Sequence, residues 1–282
     1  NPWTEQNYRD LYVVEKDNNY KLSNPVNFSN VINTKYNEST PVFSKDGKTI
    51  YFTRNNFNSG RKGKADDKST LIKIYKANWV DVAQTSIDAR KRIAGSDKGK
   101  SGMALVDAIE KSWPSENTIV CDMAISGYWS GVYLQARRPR QIAYPVGWGT
   151  LGFGLPASLG PASAGIATLL VCGDGGIAFG LGELATVAQE QLPLTILLHD
   201  DGGYGMLRFD QKVMNHPERG VNLFNPDWKI LAQSFGIDFT ESNLNQLSDV
   251  LAKRSVSSTP GIVLITESIY PPKSTSPRWN EE

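Results

Sequence analysis

Hydrophobic and polar residues alternate along several short stretches of the first 78 residues, and this is the period of a half-buried β-strand. An Asp-Gly pair, Asp46-Gly47, separates two of these stretches and is typical of a hairpin turn. The predicted strands are Asp10–Lys16, Thr40–Phe43, Thr49–Arg54 and Leu71–Ala77. So few strands are marginally stable by themselves. This part of the chain is therefore predicted to be a small all-β fragment.

From residue 101 the pattern changes to apolar strands that alternate with helix-length segments. This alternation predicts an α/β fold with a doubly wound parallel sheet and helices on both faces. The predicted strands are Thr118–Cys121, Gln141–Tyr144, Thr168–Cys172, Leu194–Leu198, Ile237–Thr240 and Gly261–Thr266. The predicted helices are Gly102–Lys111, Tyr128–Gln135, Phe153–Ala164, Leu181–Gln191, Asp227–Ser234 and Asn243–Arg254. A polar stretch with a helical pattern around Ile87–Ile93 is interpreted as a linker, which gives three parts: 1–78, 79–100 and 101–282.

The net charge of +1 gives no reason to expect a nucleic acid or an anionic membrane surface as a partner. The net charge is the sum over two parts that differ in composition. Residues 1–78 are basic and rich in asparagine, whereas the remainder is acidic and rich in glycine. No stretch approaches the roughly 20 apolar residues of a membrane span. Cys121 and Cys172 end predicted core strands and match no metal spacing, so buried free thiols are expected rather than a disulfide.

Candidate chemistry is concentrated between Gly173 and Gly205. Two predicted parallel strands each end at a glycine-rich turn with an aspartate, Asp174 after the first strand and Asp201 after the second. The carboxyl ends of parallel strands form the ligand edge of an open α/β sheet, and a crossover helix predicts that these strands are neighbours or near-neighbours. Two carboxylates beside glycine-rich backbone suit a hard cation that holds a phosphate. Taken singly, Asp174 can also be a helix N-cap, and Asp200-Asp201 can be ordinary turn residues.

The same residues resemble the diphosphate-binding motif of thiamine-diphosphate enzymes of the acetolactate synthase and pyruvate decarboxylase family. That motif is Gly-Asp-Gly, followed after a helix-length segment by Asn-Asn or Asn-Asp; here it is Gly173-Asp174-Gly175 and Asp200-Asp201. Other stretches that resemble the family are Gly147–Ala157, Glu183–Thr186 and Pro271–Trp279. The resemblance extends from about Ser101 to the C-terminus. It implies thiamine diphosphate and Mg²⁺ as cofactors, and a 2-keto acid as the substrate of the complete enzyme.

The resemblance also implies roles for single residues. Asp174, Asp201 and the backbone carbonyl of Gly203 would bind Mg²⁺, while the amides of Gly175 and Gly176 would point at the diphosphate from a helix N-terminus. Leu151 would be the apolar wedge between the two rings of the cofactor, with a plain core leucine as the alternative. The full implied cofactor-binding set is Gly149, Leu151, Gly173, Gly175, Gly176, Tyr204, Gly205 and Met206. Two other polar residues, Glu183 and His199, are interpreted as structural rather than catalytic.

Two departures from the family pattern bear on the reaction. Asp200-Asp201 keeps oxygen ligands where the family usually has asparagine, and Asp200→Asn is expected to be tolerated because Asp201 carries the ligand role. The segment that begins at Asp122 lies where acetolactate synthases carry Asp-Val-Gly-Gln-His-Gln. Ile125 and Ser126 cannot provide the polar contacts of that Gln-His pair. This difference favours a 2-keto acid other than the one used in acetolactate formation.

The catalytic glutamate of the family is absent from this chain. In the family it lies in a separate pyrimidine-binding domain, and the active site forms between that domain of one subunit and the diphosphate domain of another. The resemblance therefore implies that the partner is a pyrimidine-binding domain in trans or a second subunit of a homo-oligomer. It also implies that the chain is inactive alone and that its location is cytoplasmic.

The segment Glu38–Asn55 resembles one blade of a TolB-type β-propeller, as found in envelope proteins with an OmpA-type anchor. Propellers typically have about four to eight blades, so a fragment is expected, and by itself it would indicate the periplasm or outer membrane. Two alternatives stay open. One is an envelope-associated interaction protein with the α/β domain as a passenger, and the other is an artefactual join of two genes near Trp79–Asp81.

Overall fold

The computed structural model describes residues 11–14, 21–29, 32, 38–45, 48–55, 57–58, 61–62, 72–78, 82–145, 147 and 149–273. The chain divides into two compact units, residues 1–86 and 87–282. This division falls inside the segment that the sequence predicts as a linker. The predicted turn at Asp46-Gly47 lies outside the described residues.

The regular structure described over residues 11–78 consists of short antiparallel strands. They are β1 (Tyr12–Val13), β2 (Val26–Asn27), β3 (Glu38–Phe43), β4 (Thr49–Asn55), β5 (Phe57–Asn58), β6 (Arg61–Lys62) and β7 (Ile72–Asn78). β4 pairs with both β3 and β7 to form a three-stranded sheet. The predicted alternation is confirmed in β4, because Ile50 and Phe52 are buried in a small core whereas Tyr51 is exposed.

Helices alternate with strands over residues 82–265. The helices are α1 (Val82–Ala94), α2 (Lys100–Ser112), α3 (Ile125–Tyr133), α4 (Gly154–Ser163), α5 (Asp174–Ile177), α6 (Glu183–Gln189), α7 (Gly205–Val213), α8 (Trp228–Ser234) and α9 (Leu247–Arg254). The strands are β8 (Thr118–Cys121), β9 (Ile142–Ala143), β10 (Thr168–Gly173), β11 (Leu194–His199), β12 (Asp238–Glu241) and β13 (Gly261–Ile265). They form a six-stranded sheet in the order β12-β13-β11-β10-β8-β9, and every pair is parallel.

The central strand β10 shows why the sheet is covered on both faces. Successive side chains of a strand point to opposite faces. Leu169 and Val171 accordingly pack into one hydrophobic core with α2, α3 and α9, whereas Leu170 and Cys172 pack into a second core with α4, α6 and α8. The predicted parallel α/β class is confirmed.

Apart from shifts of a few residues in helix bounds, the helices differ from the sequence prediction in three places. The helix α7 was not predicted, because the Gly202–Gly205 run before it indicates a turn. The predicted turn after β10 is instead the one-turn helix α5 followed by a 3₁₀ turn at Ala178–Gly180, and α6 begins only at Glu183. The segment interpreted as a linker is largely the helix α1.

Candidate functional site

The two motif strands, β10 and β11, are direct neighbours in the sheet. Their register pairs Gly173 with His199, so Asp174 and Asp200-Asp201 follow the last paired residues at the same edge. The predicted adjacency of the two strands is thus confirmed. Both strands end at the carboxyl edge of the parallel sheet, so the turns that follow them flank one crevice.

A cavity of about 260 Å³ opens at this edge. Every residue that the sequence singled out for metal or cofactor binding lines it: Gly149, Leu151, Gly173, Asp174, Gly175, Gly176, Asp201, Gly203, Tyr204, Gly205 and Met206. The lining also includes residues that the motif did not indicate: Met123, Ala124, Tyr128 and Leu207. These come from the loop after β8 and from α3 and α7, whose position is set by the fold rather than by any local pattern.

Asp174 begins α5 and is buried, with 1% of its surface exposed. Its Oδ2 accepts a hydrogen bond from Asn225 Nδ2 at 2.6 Å. Burial raises the pKa of the Asp174 carboxyl to about 6; the Asn225 bond acts in the opposite direction, while the charges of Asp201 and Asp200 raise the pKa further. A carboxylate in this position is destabilised by its surroundings and gains from a nearby positive charge.

Asp201 lies on the second turn and faces the same cavity. Its Oδ1 is buried and has no hydrogen-bond partner among the residues that the structure describes. Burial raises the pKa of this carboxyl, although the positive charge of Arg208 lowers it. Arg208 also holds the turn in place, because its Nη1 donates to the backbone oxygen of Asp201 at 2.8 Å.

Asp200 is not part of the cavity lining. Its carboxylate accepts bonds from Gly202 N at 2.9 Å, from Asn225 Nδ2 at 2.8 Å and from Trp228 Nε1 at 2.6 Å. Asp200 therefore fixes the turn, which agrees with the interpretation of Asp200 as an ordinary turn residue. Sequence reasoning missed Asn225 and Trp228, since their role follows only from the packing of α8 beside the second turn.

Glycines at the site allow backbone to approach closely. A Cβ on Gly175 would lie 2.8 Å from the Tyr204 ring, and a Cβ on Gly203, at φ +148°, would lie 2.0 Å from the carbonyl oxygen of Val221. A Cβ on Gly176 would lie 3.1 Å from Asp122 Oδ2. Gly175 and Gly176 lie in the first turn of α5, so the predicted helix start at these residues is confirmed, although α5 is a single turn. That their amides point at a diphosphate stays a prediction.

Of the remaining residues singled out from the sequence, His199 and Glu183 have hydrogen-bond partners within the fold. His199 is 2% exposed and lines the cavity, and its Nε2 hydrogen-bonds the carbonyl oxygen of Glu267 at 3.0 Å; burial lowers its pKa. Glu183 lies outside the cavity lining and bonds Thr186 within α6. Ile125 lines the cavity, whereas the Ser126 hydroxyl is buried without a hydrogen-bond partner among the described residues.

The donor set fits a small divalent cation that is shared with a phosphate. The buried Oδ1 of Asp201 without a partner, and the raised pKa of Asp174, both indicate negative charge that a cation would stabilise. No group of three or more His, Cys, Asp or Glu residues that could hold a metal exists in the described part of the chain. A cation here would thus need backbone and phosphate oxygens besides the two aspartates, which is the way that proteins commonly bind Mg²⁺.

This parallel sheet, with paired aspartates at its carboxyl edge and glycine-lined backbone around the cavity, defines the class of α/β domains that bind a phosphate-bearing cofactor. The family model described as "Thiamine pyrophosphate enzyme, C-terminal TPP binding domain" matches residues 122–266. The chain belongs to this family of thiamine pyrophosphate enzymes. Membership implies thiamine diphosphate with Mg²⁺ as the cofactor.

Curated relatives match only a part of their own length. A "Probable 2-ketoarginine decarboxylase" of Pseudomonas aeruginosa is 34% identical over 139 residues, which is 47% of this chain and 24% of the relative. The large subunit of acetolactate synthase isozyme 2 from Escherichia coli is 34% identical over 128 residues, or 44% of this chain and 23% of the relative. The chain thus spans about a quarter of these relatives.

A solved structure shares the fold. It is a thiamine diphosphate-dependent 4-hydroxybenzoylformate decarboxylase from Rhodococcus jostii, with a TM-score of 0.53 and 22% identity over 60% of this chain and 32% of that one. No helix in the described part of this chain is long and apolar enough to cross a membrane.

Proposed function

We propose that residues 101–282 form the thiamine diphosphate- and Mg²⁺-binding domain of a 2-keto-acid decarboxylase or carboligase similar to acetolactate synthase. The observation that carries this proposal is the convergence of Asp174, Asp201 and Gly203 on one cavity at the carboxyl edge of β10 and β11. The two carboxylates and the Gly203 carbonyl would hold the cation. Bound thiamine diphosphate supplies the carbanion chemistry, for which the protein provides binding and orientation.

The residues around the cation would position the organic part of the cofactor. Gly175 and Gly176 line the cavity, where their backbone would face the diphosphate, and neither has room for a side chain, because a Cβ would meet Tyr204 or Asp122. Leu151 is 37% exposed and lines the cavity, which supports its role as the wedge between the two cofactor rings over that of a plain core leucine. Tyr204, Gly205 and Met206 complete the wall at the start of α7.

The substrate class is a 2-keto acid whose side chain is accommodated beside apolar residues. Ile125 and Met123 line the cavity. The relatives named above act on a 2-keto acid or form acetolactate, according to their names. Because Ile125 and Ser126 replace a polar Gln-His pair, we favour a substrate other than that of acetolactate synthase.

The cavity supports a site that is completed by a second domain. Its volume of about 260 Å³ is below the roughly 300–1,000 Å³ of typical cofactor pockets. Apolar side chains at its rim and on the neighbouring surface are exposed: Leu207 is 54% and Phe179 67% exposed, and Phe224 is fully exposed. A pyrimidine-binding domain, from elsewhere in the protein or from another subunit, would cover these residues and supply the catalytic glutamate.

The first unit favours no enzymatic role. Its three-stranded antiparallel sheet is compatible with a fragment of a propeller blade, and this interpretation stays a prediction. The alternative is an envelope-associated interaction protein that carries the α/β domain as a passenger. Both this alternative and a periplasmic location, in place of a cytoplasmic one, rest on that fragment alone. Sequencing source DNA across Trp79–Asp81 distinguishes a genuine fusion from an artefactual join.

Enzyme assays test the proposed half-site directly. The purified 282-residue chain, with Mg²⁺ and thiamine diphosphate, should give no turnover of pyruvate or other 2-keto acids, because proton transfer to the cofactor needs the glutamate of the second domain. Steady turnover by the chain alone would contradict the proposal that a second domain completes the site.

A further inference from the structure

A single amide group connects two of the aspartates at the edge of the sheet. Asn225 Nδ2 donates to Asp174 Oδ2 at 2.6 Å and to Asp200 Oδ1 at 2.8 Å. An amide NH₂ carries two hydrogens, so both bonds form at the same time. Asn225 thus holds the first motif aspartate in a fixed position relative to the second turn.

The Asp200 end of this bridge is itself fixed. Asp200 accepts bonds from the buried Trp228 Nε1 at 2.6 Å and from Gly202 N at 2.9 Å. Trp228 begins α8, and the N-cap of that helix, Asp227, accepts a bond from Ile230 N at 2.9 Å. Asn225 lies two residues before this N-cap, so the helix start restrains its backbone while the two aspartates fix its amide.

We propose that Asn225 is a positioning residue that makes the site selective for Mg²⁺ over Ca²⁺; this inference rests on the proposed function. Asn225 donates to Asp174 Oδ2, so a cation that takes both oxygens of Asp174 competes with this bond, whereas a cation that takes Oδ1 alone does not. The bond therefore favours binding of a cation through one oxygen of Asp174. Mg²⁺ requires a compact octahedron of single oxygens, whereas Ca²⁺ accepts carboxylates through both oxygens and takes more ligands.

Calorimetric titration of thiamine diphosphate into the full chain, with saturating Mg²⁺ or with saturating Ca²⁺, tests this inference. Asn225→Ala should weaken Mg²⁺-supported binding by about tenfold or more, as is common when a hydrogen bond to a metal ligand is removed. Binding supported by Ca²⁺ should weaken less, because the released Asp174 can offer both oxygens. Asn225→Ser, which keeps a small polar side chain but cannot donate two bonds, should shift the ratio in the same direction if the alanine variant fails to fold.

Lys229→Ala is the matched control. Lys229 is exposed on α8, four residues after Asn225, and does not line the cavity, so its truncation should leave the Mg²⁺ to Ca²⁺ ratio of the unsubstituted chain unchanged. Equal losses with both cations, or no loss in the folded Asn225 variants, would overturn the role of Asn225 and leave the proposed function standing. If the unsubstituted chain binds thiamine diphosphate equally with and without a cation, the proposed function fails and this inference fails with it.

Discussion

Asp122 Oδ2 accepts the backbone N–H of Gly154 at 3.1 Å and thereby joins the end of β8 to the start of α4. The same oxygen accepts the N–H of Gly152 at 3.1 Å, and Oδ1 accepts the N–H of Met123 at 2.7 Å. The loop held in this way carries Leu151 to the cavity. Asp122 is therefore a structural anchor of the site although it does not line it.

The pH dependence of the free energy of unfolding should show that the pKa of Asp122 is raised in the folded chain. Burial raises its pKa above the ordinary 3.8, more than its three backbone amide bonds lower it. The folded chain thus keeps this proton to a higher pH than the unfolded chain, so its contribution to stability is largest at low pH and is lost as pH rises through the folded pKa. Urea unfolding between about pH 4 and pH 7 should show the native chain losing stability relative to Asp122→Asn. A difference between the two that stays constant, or grows with pH, would show that the pKa is not raised.

A methyl group at Gly203 should disrupt the second turn. Its φ of +148° is strained for any L side chain, and the new Cβ would lie 2.0 Å from the Val221 carbonyl oxygen. Gly203→Ala should lower the free energy of unfolding by at least about 1 kcal/mol and weaken Mg²⁺-dependent cofactor binding. Gly182→Ala is the control, because nothing lies within 4 Å of its Cβ position and its φ is −58°. Equal stability of the two variants in urea would argue against this account of the turn.

Asp200→Asn should keep metal-dependent binding but reduce stability, which qualifies the expectation that this change is tolerated. An asparagine offers one acceptor oxygen where the carboxylate now satisfies three donors, so its NH₂ would face either Trp228 Nε1 or the other two N–H groups. The cost should be about 1–3 kcal/mol. Trp228→Phe should lower the free energy of unfolding less in the Asp200→Asn variant than in the unsubstituted chain. In the variant it removes an indole N–H that would face the NH₂ of the new asparagine. Thermal and urea unfolding of all four chains measure this coupling, and strict additivity would contradict it.

Both cysteines should be unreactive in the folded chain. Cys121 and Cys172 are free and fully buried; burial raises the pKa of Cys121 to about 12 and that of Cys172 well above its usual value. Because the thiolate is the reactive form, a thiol reagent at neutral pH should label neither residue until denaturant is added. Rapid labelling of either thiol in the native chain would contradict the burial of β8 or β10.

Much of the α/β unit follows from local patterns in the sequence. Apolar runs such as Leu194–Leu198 identify the buried strands, and the glycines around Asp174 and Asp201 indicate ligand-binding turns at their ends. The helix α7 escapes prediction because its first residues, Gly205 and Met206, continue a glycine-rich turn. Its fold into a helix is stabilised by contacts such as that of Phe209 with Tyr270, far along the chain.

The contacts that support the site could not be predicted in the same way. Asn225 meets Asp174 across 51 positions of sequence, and Asp122 meets Gly152 across 30. Each of these bonds depends on how α8 and the loop before α4 pack against the sheet, and no local periodicity encodes that packing. Motif spacing therefore indicated the residues that line the cavity, whereas the residues that hold them in place required the fold.

Calorimetric titration of thiamine diphosphate into the purified chain, with Mg²⁺ and with a chelator, tests the central claim most directly. We expect binding with Mg²⁺ and none with the chelator. Binding should be lost in both Asp174→Ala and Asp201→Ala and retained in Asp249→Ala, a control on the distant helix α9. Circular dichroism should show that all three variants remain folded. Equal binding with Mg²⁺ and with the chelator, or undiminished binding in a folded Asp174→Ala or Asp201→Ala variant, would contradict a shared magnesium-diphosphate site at this edge of the sheet.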